Sequence, residues 1–373
     1  MIISLEINGQ RYINFLSAQV NLSIEDLCNT FSFSTSPEGS KQIPVRIKDE
    51  CSVYVDGELV TTGYVEKITG SGDSSSHIIS ISGRDKTSDI VDSRINVLDD
   101  LNGDLTLKEV AERVISHIES SLDVKDLTDG AKFNAVDMGI APEPGENCFD
   151  FLEKLAKRQS ALLTSDSSGN LVLYKYSPES VNSPLVNRVN DSGSNNIISY
   201  NFKFDNSKRY FFYAVKSNRS LSSLFFSVKQ NANLSVDVQG DVIDKDIQNG
   251  RQYVVTGENA GTTSQQVERA EWERDIRASR SRTYSCVVPG FRNQEGGIWQ
   301  TNMLVKVVDE HADISDSLLV NSVQFSYGQQ GALTSLGLVN KDSYTREAEG
   351  EKYSKAKKGL LSNVFSSTPT SDD

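Results

Sequence analysis

Between residues 83 and 94 the sequence GRDKTSDIVDSR sets Arg84, Asp85, Lys86 and Asp89 close together, directly after an alternating apolar stretch. Charged side chains at this density suit a catalytic loop, a phosphate contact or a seam between protein surfaces. The mixed signs weaken the phosphate reading, because carboxylates beside the basic groups cancel their attraction for an anion. Opposite charges at a protein junction instead fix register and choice of partner. Arg84, Asp85, Lys86 and Asp89 are therefore candidate contact residues between subunits or between domains, with a salt-bridged structural turn as the plainer alternative. A second charged group lies in 264–282, where Arg274, Arg277 and Arg280 recur at every third position. That spacing gathers them on one helical face. Glu268, Glu271 and Glu273 precede them, an order that complements a helix dipole. Helix stabilisation or protein contact comes ahead of nucleic acid for this segment. Trp272 within it is either an anchor at an interface or a ring buried in its own domain.

Other chemistry finds little support. Cys28, Cys51, Cys148 and Cys286 are far apart and form no CxxC pair, so neither a zinc knuckle nor a disulfide framework is expected. His311 sits in DEHAD beside Asp309, Glu310 and Asp313, a set that reads as a solvated turn rather than a metal site. A glycosidase needs two carboxylates roughly 5 to 9.5 Å apart across a cleft. Asp150 with Glu153 and Glu268 with Glu271 share helix faces, yet surface helices carry such pairs routinely. There is no GxSxG elbow, GxGxxG turn or GxxxxGK[ST] loop. No enzymatic activity, metal or cofactor is expected. The formal charge of −13 makes the average surface repel phosphate, which argues against broad contact with DNA or an anionic membrane. No stretch approaches the roughly 20 apolar residues of a membrane span, and the N-terminus lacks a signal-peptide pattern, so neither insertion nor secretion is expected.

The elements that must position these residues are mostly strands. Residues 1–95 alternate apolar and polar positions between Asn8-Gly9, Asp56-Gly57 and Ser-Gly turns, which predicts about six short antiparallel strands. The pattern then becomes helical: Thr106 with Glu109 forms a capping box before Leu107, Val110, Ala111, Val114, Ile115 and Ile118. A second helix follows in NCFDFLEKLAKRQSA, and then a hairpin turning at Ser168-Gly169-Asn170. These features make 96–185 an α+β insertion. Strand alternation returns in 186–345, interrupted by a polar segment at 231–263 and by the charged helix, which Thr263 and Gln266 would cap. Trp299 is expected to seal one end of this part, with its ring N–H on a backbone carbonyl. The two strand blocks suggest duplication, although no sequence repeat aligns. Residues 346–373 read as a flexible tail.

The order of ISISGRDKTSDIVDSR, LTSDSSGNLVLYKY, the arginine-bearing helix, Trp299 and LLVNSVQFSYGQQGALTSLGLVNKDSY resembles the baseplate hub proteins of contractile-tailed phages of the Mu-like group, relatives of the larger T4-like central hub protein. The resemblance spans about residues 1 to 345. It implies a mainly β fold with two small antiparallel β-barrel, tail-tube-like domains in each chain. It also implies a homotrimeric ring of pseudo-sixfold order that joins a central spike protein to the tail tube, beside baseplate wedge proteins, in a virion tail assembled in the host cytoplasm. Double-stranded DNA would pass through the ring without specific binding, which fits an acidic chain. A carbohydrate- or protein-binding β module and a cell-wall glycan hydrolase are the competing readings.

Overall fold

Asn8 and Asp56 adopt positive φ, 51° and 48°, and each is followed by a glycine at positive φ. Two-residue hairpins require that geometry to match the twist of their strands. The turns join β1 (Ile3–Ile7) to β2 (Gln10–Tyr12) and β5 (Glu50–Val55) to β6 (Glu58–Gly72), with β3 (Ser17–Ser23), β4 (Thr30–Thr35) and β7 (His77–Asp85) completing the first part. The computed structural model describes residues 1–36, 45–73, 77–96, 101–134, 141–159, 161–218, 237–248, 250–256 and 263–344. The tail expected at 346–373 lies outside them. After β7 comes α1 (Ser88–Asp92), and the insertion then holds β8 (Asp104–Thr106), α2 (Leu107–His117), β9 (Val124–Leu127), β10 (Lys132–Asn134), α3 (Cys148–Arg158), β11 (Ala161–Ser165) and β12 (Leu171–Lys175). Then come β13 (Glu179–Asn187), β14 (Ser199–Phe204), β15 (Phe212–Asn218), β16 (Asp237–Ile243), β17 (Gln252–Thr256), α4 (Thr263–Arg280), β18 (Arg282–Pro289), β19 (Met303–Asp309), β20 (Ile314–Gly328) and β21 (Gly331–Asn340).

The fold is mainly β, and most strands share one 13-stranded sheet. Its path runs β14-β18-β21-β20-β3-β4-β7-β6-β5-β1-β2, with β19 on β20 and β13 on β19. Among the described residues the path is open. The order contains a repetition: β3-β4-β7-β6-β5-β1 is matched position for position by β14-β18-β21-β20-β19-β13. The last position departs, because β1 is antiparallel to β5 whereas β13 is parallel to β19. β3 and β20 fuse the two series, with Val20 opposite Phe325, and Gln324 Nε2 donates to Asn21 Oδ1 at 2.7 Å. A single apolar core follows, containing Phe31, Phe33 and Val53 of the first series with Tyr284, Phe325 and Leu336 of the second. Trp299 is buried in this core, but its Nε1 donates to no described group, contrary to the expected backbone bond. The ring is held by apolar contact alone.

The insertion forms its own core beneath α2 and α3. Thr106 Oγ1 accepts from Glu109 N at 3.1 Å and Glu109 Oε2 accepts from Thr106 N at 2.7 Å, the reciprocal capping that the sequence predicts. Leu107, Val110, Ala111, Val114 and Ile115 then pack against Phe151, Leu152 and Leu155 of α3.

The described residues of 203–283, with 340–344, form a second compact unit. In it β15 pairs antiparallel with β16 and parallel with β17, under α4. The segment expected to be irregular at 231–263 thus carries two strands, β16 and β17. Gly240 hides the first from pattern reading by interrupting its apolar positions, and the interruption is needed, since a Cβ there would lie 2.2 Å from Val267 N and 2.3 Å from the Gln266 carbonyl carbon. Gly240→Ala should therefore force α4 off the sheet at a cost of about 2 kcal/mol. Its thermal midpoint should fall while the hydrogen exchange of β3–β7 stays unchanged. Thr263, expected as the residue capping α4, is instead its first helical residue.

Candidate functional site

The alternation of β7 ends at Asp85, and there its side chain turns inward, fully buried. Oδ2 accepts from Asn29 N at 2.8 Å and Ser165 Oγ at 2.5 Å, while Oδ1 accepts from Thr87 N at 3.1 Å and Thr87 Oγ1 at 2.5 Å. Asn29 Nδ2 in turn donates to Ser165 Oγ at 2.8 Å. One carboxylate therefore ties the start of β4 and the end of β7 to β11 of the insertion. Burial pushes its carboxyl up, an effect that hydrogen bonds from Ser165, Thr87 and Asn29 reduce without cancelling.

Around this buried group lies a ring of paired charges. Arg84 donates through Nε and Nη2 to Glu66 at 2.8 to 3.0 Å and through Nη1 to Asp92 Oδ1 at 3.1 Å, with Nη2 also on Asp92 Oδ2. Those hydrogen bonds to Asp92 and Glu66 hold the guanidinium protonated well above its ordinary range, and they hold Asp92 below the usual carboxylate range. Lys86 Nζ lies 2.6 Å from Glu50 Oε1, and Asp89 Oδ2 accepts from Ser120 Oγ at 2.6 Å. Asp85 and Asp89 thus reach the insertion through Ser165 and Ser120, while Arg84 and Lys86 pair with Glu66, Asp92 and Glu50 of residues 1–95. The sequence marks these four but gives no sign of Ser165 or Asn29, which reach Asp85 from distant positions. Ser165 and Thr87 both donate their hydroxyl protons to Asp85.

The arginines of α4 do not form a uniform exposed face. Arg277 turns onto the Tyr253 ring at 4.1 Å and the Tyr210 ring at 5.6 Å, and its Nη2 is 3.4 Å from Glu273 Oε2. Arg274 Nε bonds Asp275 Oδ1 at 2.7 Å, and Arg280 is exposed. The side chain of Trp272 lies outside the described residues. Within the same unit Arg209 is buried with Asp244, joined by Nε to Oδ2 at 3.1 Å and by Nη2 to Oδ1 at 3.1 Å and Oδ2 at 2.8 Å.

DEHAD, expected as a solvated turn, contains a buried anchor. Asp309 is fully buried and accepts from Tyr284 OH at 2.6 Å, Asn187 Nδ2 at 3.0 Å, and the backbone N–H groups of His311 and Ala312 at 2.9 Å. Burial opposes its ionisation, but the bonds from Asn187 and Tyr284 outweigh it and hold the carboxyl below its ordinary range. A group shifted downward on folding stabilises the fold above the unfolded value near 3.9 and loses that contribution as pH falls through the folded value. Asp309→Asn should accordingly flatten the loss of stability between about pH 5 and about pH 2, as read from urea midpoints across that range. Among the described residues, no three His, Cys, Asp or Glu side chains are placed to hold a metal.

Residues 2–85 match the model for the Mu phage baseplate assembly protein GpP-like, N-terminal domain, and residues 262–347 that for the fourth domain of Mu phage baseplate assembly protein GpP. The baseplate hub protein gp44 of Escherichia phage Mu is 22% identical over 366 residues, covering 97% of this chain and 93% of that protein. The crystal structure of a 43 kDa tail protein of prophage MuSo2 from Shewanella oneidensis matches with a TM-score of 0.75 and 26% identity, over 92% of this chain and 100% of that one. A tail protein from Neisseria meningitidis MC58 shares the fold with a TM-score of 0.73 at 18% identity, over 92% and 97% of the two chains.

Proposed function

We propose that this chain, which matches the models for the N-terminal and fourth domains of the Mu phage baseplate assembly protein, is the structural hub of a contractile tail, a homotrimeric ring joining the central spike to the tail tube. The observation that carries this reading is the repeated strand order. Each chain supplies β3-β4-β7-β6-β5-β1 and then β14-β18-β21-β20-β19-β13. Three chains would set six such series around an axis, so that a threefold spike and a sixfold tube meet one ring. Each series is read as a tube-like domain that completes its barrel in the assembly. Heterologous contacts that close in this way leave no free edge for further growth.

The task needs no reaction, and the buried groups suit it: Asp85 and Asp309 each accept four protein donors and hold strands in place. An acidic chain also suits a channel for double-stranded DNA, because each phosphate contact would add attraction and slow transit. Wedge and spike proteins are the remaining proposed partners, in a tail assembled in the host cytoplasm.

Light scattering on a sizing column tests the ring. A species at three times the chain mass of 41.1 kDa is expected at micromolar concentration. A protomer mass at every concentration, with and without a spike protein, would remove the reading.

A further inference from the structure

The repetition of strand order leaves two edges that have strand partners in one series and none among the described residues in the other. In the first join, β3 pairs antiparallel with the second half of β20, where Ala18 faces Tyr327 and Val20 faces Phe325. The counterpart of β3 is β14, which ends the sheet path. The counterpart of β20 is β6, likewise a 15-residue strand. β5 pairs with β6 only as far as Tyr64, and among the described residues no strand covers 67–72 on that side. Both edges are exposed, including Tyr200 at 38% and Phe202 at 40%.

We propose that β14 of one copy pairs antiparallel with residues 67–72 of β6 in the next, repeating between chains the β3–β20 join made within each. The proposal rests on the ring reading and names the edges that close it. Side-chain volumes support the match. Tyr200 stacks on Tyr284, a core residue, with ring centroids 6.4 Å apart, so the alternating Tyr200 and Phe202 project from the core-facing side of β14, as Ala18 and Val20 do on β3. On β6 the β-bulge after Val65 returns Ile68 to the core side, opposite Ile81, and Gly70 and Gly72 follow it at alternate positions. Aligning Val65 with Val320 by the matching bonds that Lys48 N and Asn302 N donate to their carbonyls puts Gly70 at the place of Phe325 and Gly72 at that of Tyr327. The small-against-large pairs Ala18–Tyr327 and Val20–Phe325 thus become Tyr200–Gly72 and Phe202–Gly70. The rings have changed strand. A Cβ at Gly70 would meet nothing within 4 Å in its own chain, leaving room for an aromatic ring from a neighbour, as rings cover glycines on strand edges.

The same alignment sets Asn201 opposite Ser71 of the neighbour, both facing away from the core. The full-length double variant Asn201→Cys/Ser71→Cys, oxidised mildly, is expected to give a covalent trimer on a denaturing gel, while either single variant gives none. Gly70→Leu should shift the mass from trimer to protomer and leave the thermal midpoint of the protomer unchanged. A trimer that does not cross-link and survives Gly70→Leu overturns the strand assignment and leaves the ring intact. A protomer mass without cross-linking overturns both.

Discussion

Asp85→Ala is expected to destabilise the first compact unit by roughly 3–5 kcal/mol, since it strands the buried N–H groups of Asn29 and Thr87 and frees the hydroxyls of Thr87 and Ser165 from their acceptor. Urea unfolding read by a signal from the first unit measures the loss. Asp85→Asn separates geometry from charge. It keeps the shape and removes the ionisation that burial opposes, but its amide nitrogen must face two donors on one side. It should therefore fall between the wild type and Asp85→Ala. The pH dependence has a definite sign: a carboxyl raised on folding contributes most below its unfolded value and loses that contribution as pH rises through the folded one. The wild type should accordingly gain on Asp85→Asn as pH is lowered towards the ordinary carboxylate value. A constant difference across that range would show that Asp85 does not change charge there.

Arg209→Met should unfold the second compact unit at neutral pH or lower its stability by roughly 3–5 kcal/mol, because Asp244 is left buried without its cation. The double variant Arg209→Met/Asp244→Leu should recover most of the loss, since replacing both partners removes the desolvation penalty that the pair otherwise offsets. Hydrogen exchange separates the regions: amides of β15, β16 and β17 should lose protection in Arg209→Met, and those of β3 to β7 should not. If the double variant is as unstable as the single one, the fork geometry of Arg209 on Asp244 and its contact with Asn206 Oδ1 at 3.3 Å matter beyond charge neutralisation.

Local features of the chain are legible in its sequence because their causes are local. Asn8-Gly9 and Asp56-Gly57 make hairpins through backbone torsion, Thr106 and Glu109 cap α2 across three residues, and the apolar stripe of α2 repeats with the helix itself. Charge crowding at 83–94 is likewise visible in the sequence, and Arg84, Lys86 and Asp89 find partners within the chain. What the pattern missed depends on distant residues. Asp85 looks like one more surface acid until Asn29 and Ser165 are brought to it by folding. Asp309 looks solvated within DEHAD because Asn187 and Tyr284 approach from other strands. The arginines of α4 fall on one face by spacing, yet Arg277 is drawn inward by Tyr253 of β17 and by Tyr210 just before β15.

By itself the sequence determined that the chain is mainly β, where its tight turns and the start of α2 fall, and that it carries no recognised catalytic or metal motif. Only the tertiary structure decided that β3 joins β20, that the strand order repeats, and that no further strand among the described residues lies beside β14 or the end of β6. The reason is the two-residue period of a strand, which records the face that is buried but is identical for every neighbour that an edge could take. Choosing the neighbour needs the volumes on both strands at once, such as Val20 against Phe325, and those positions lie some three hundred residues apart in the chain.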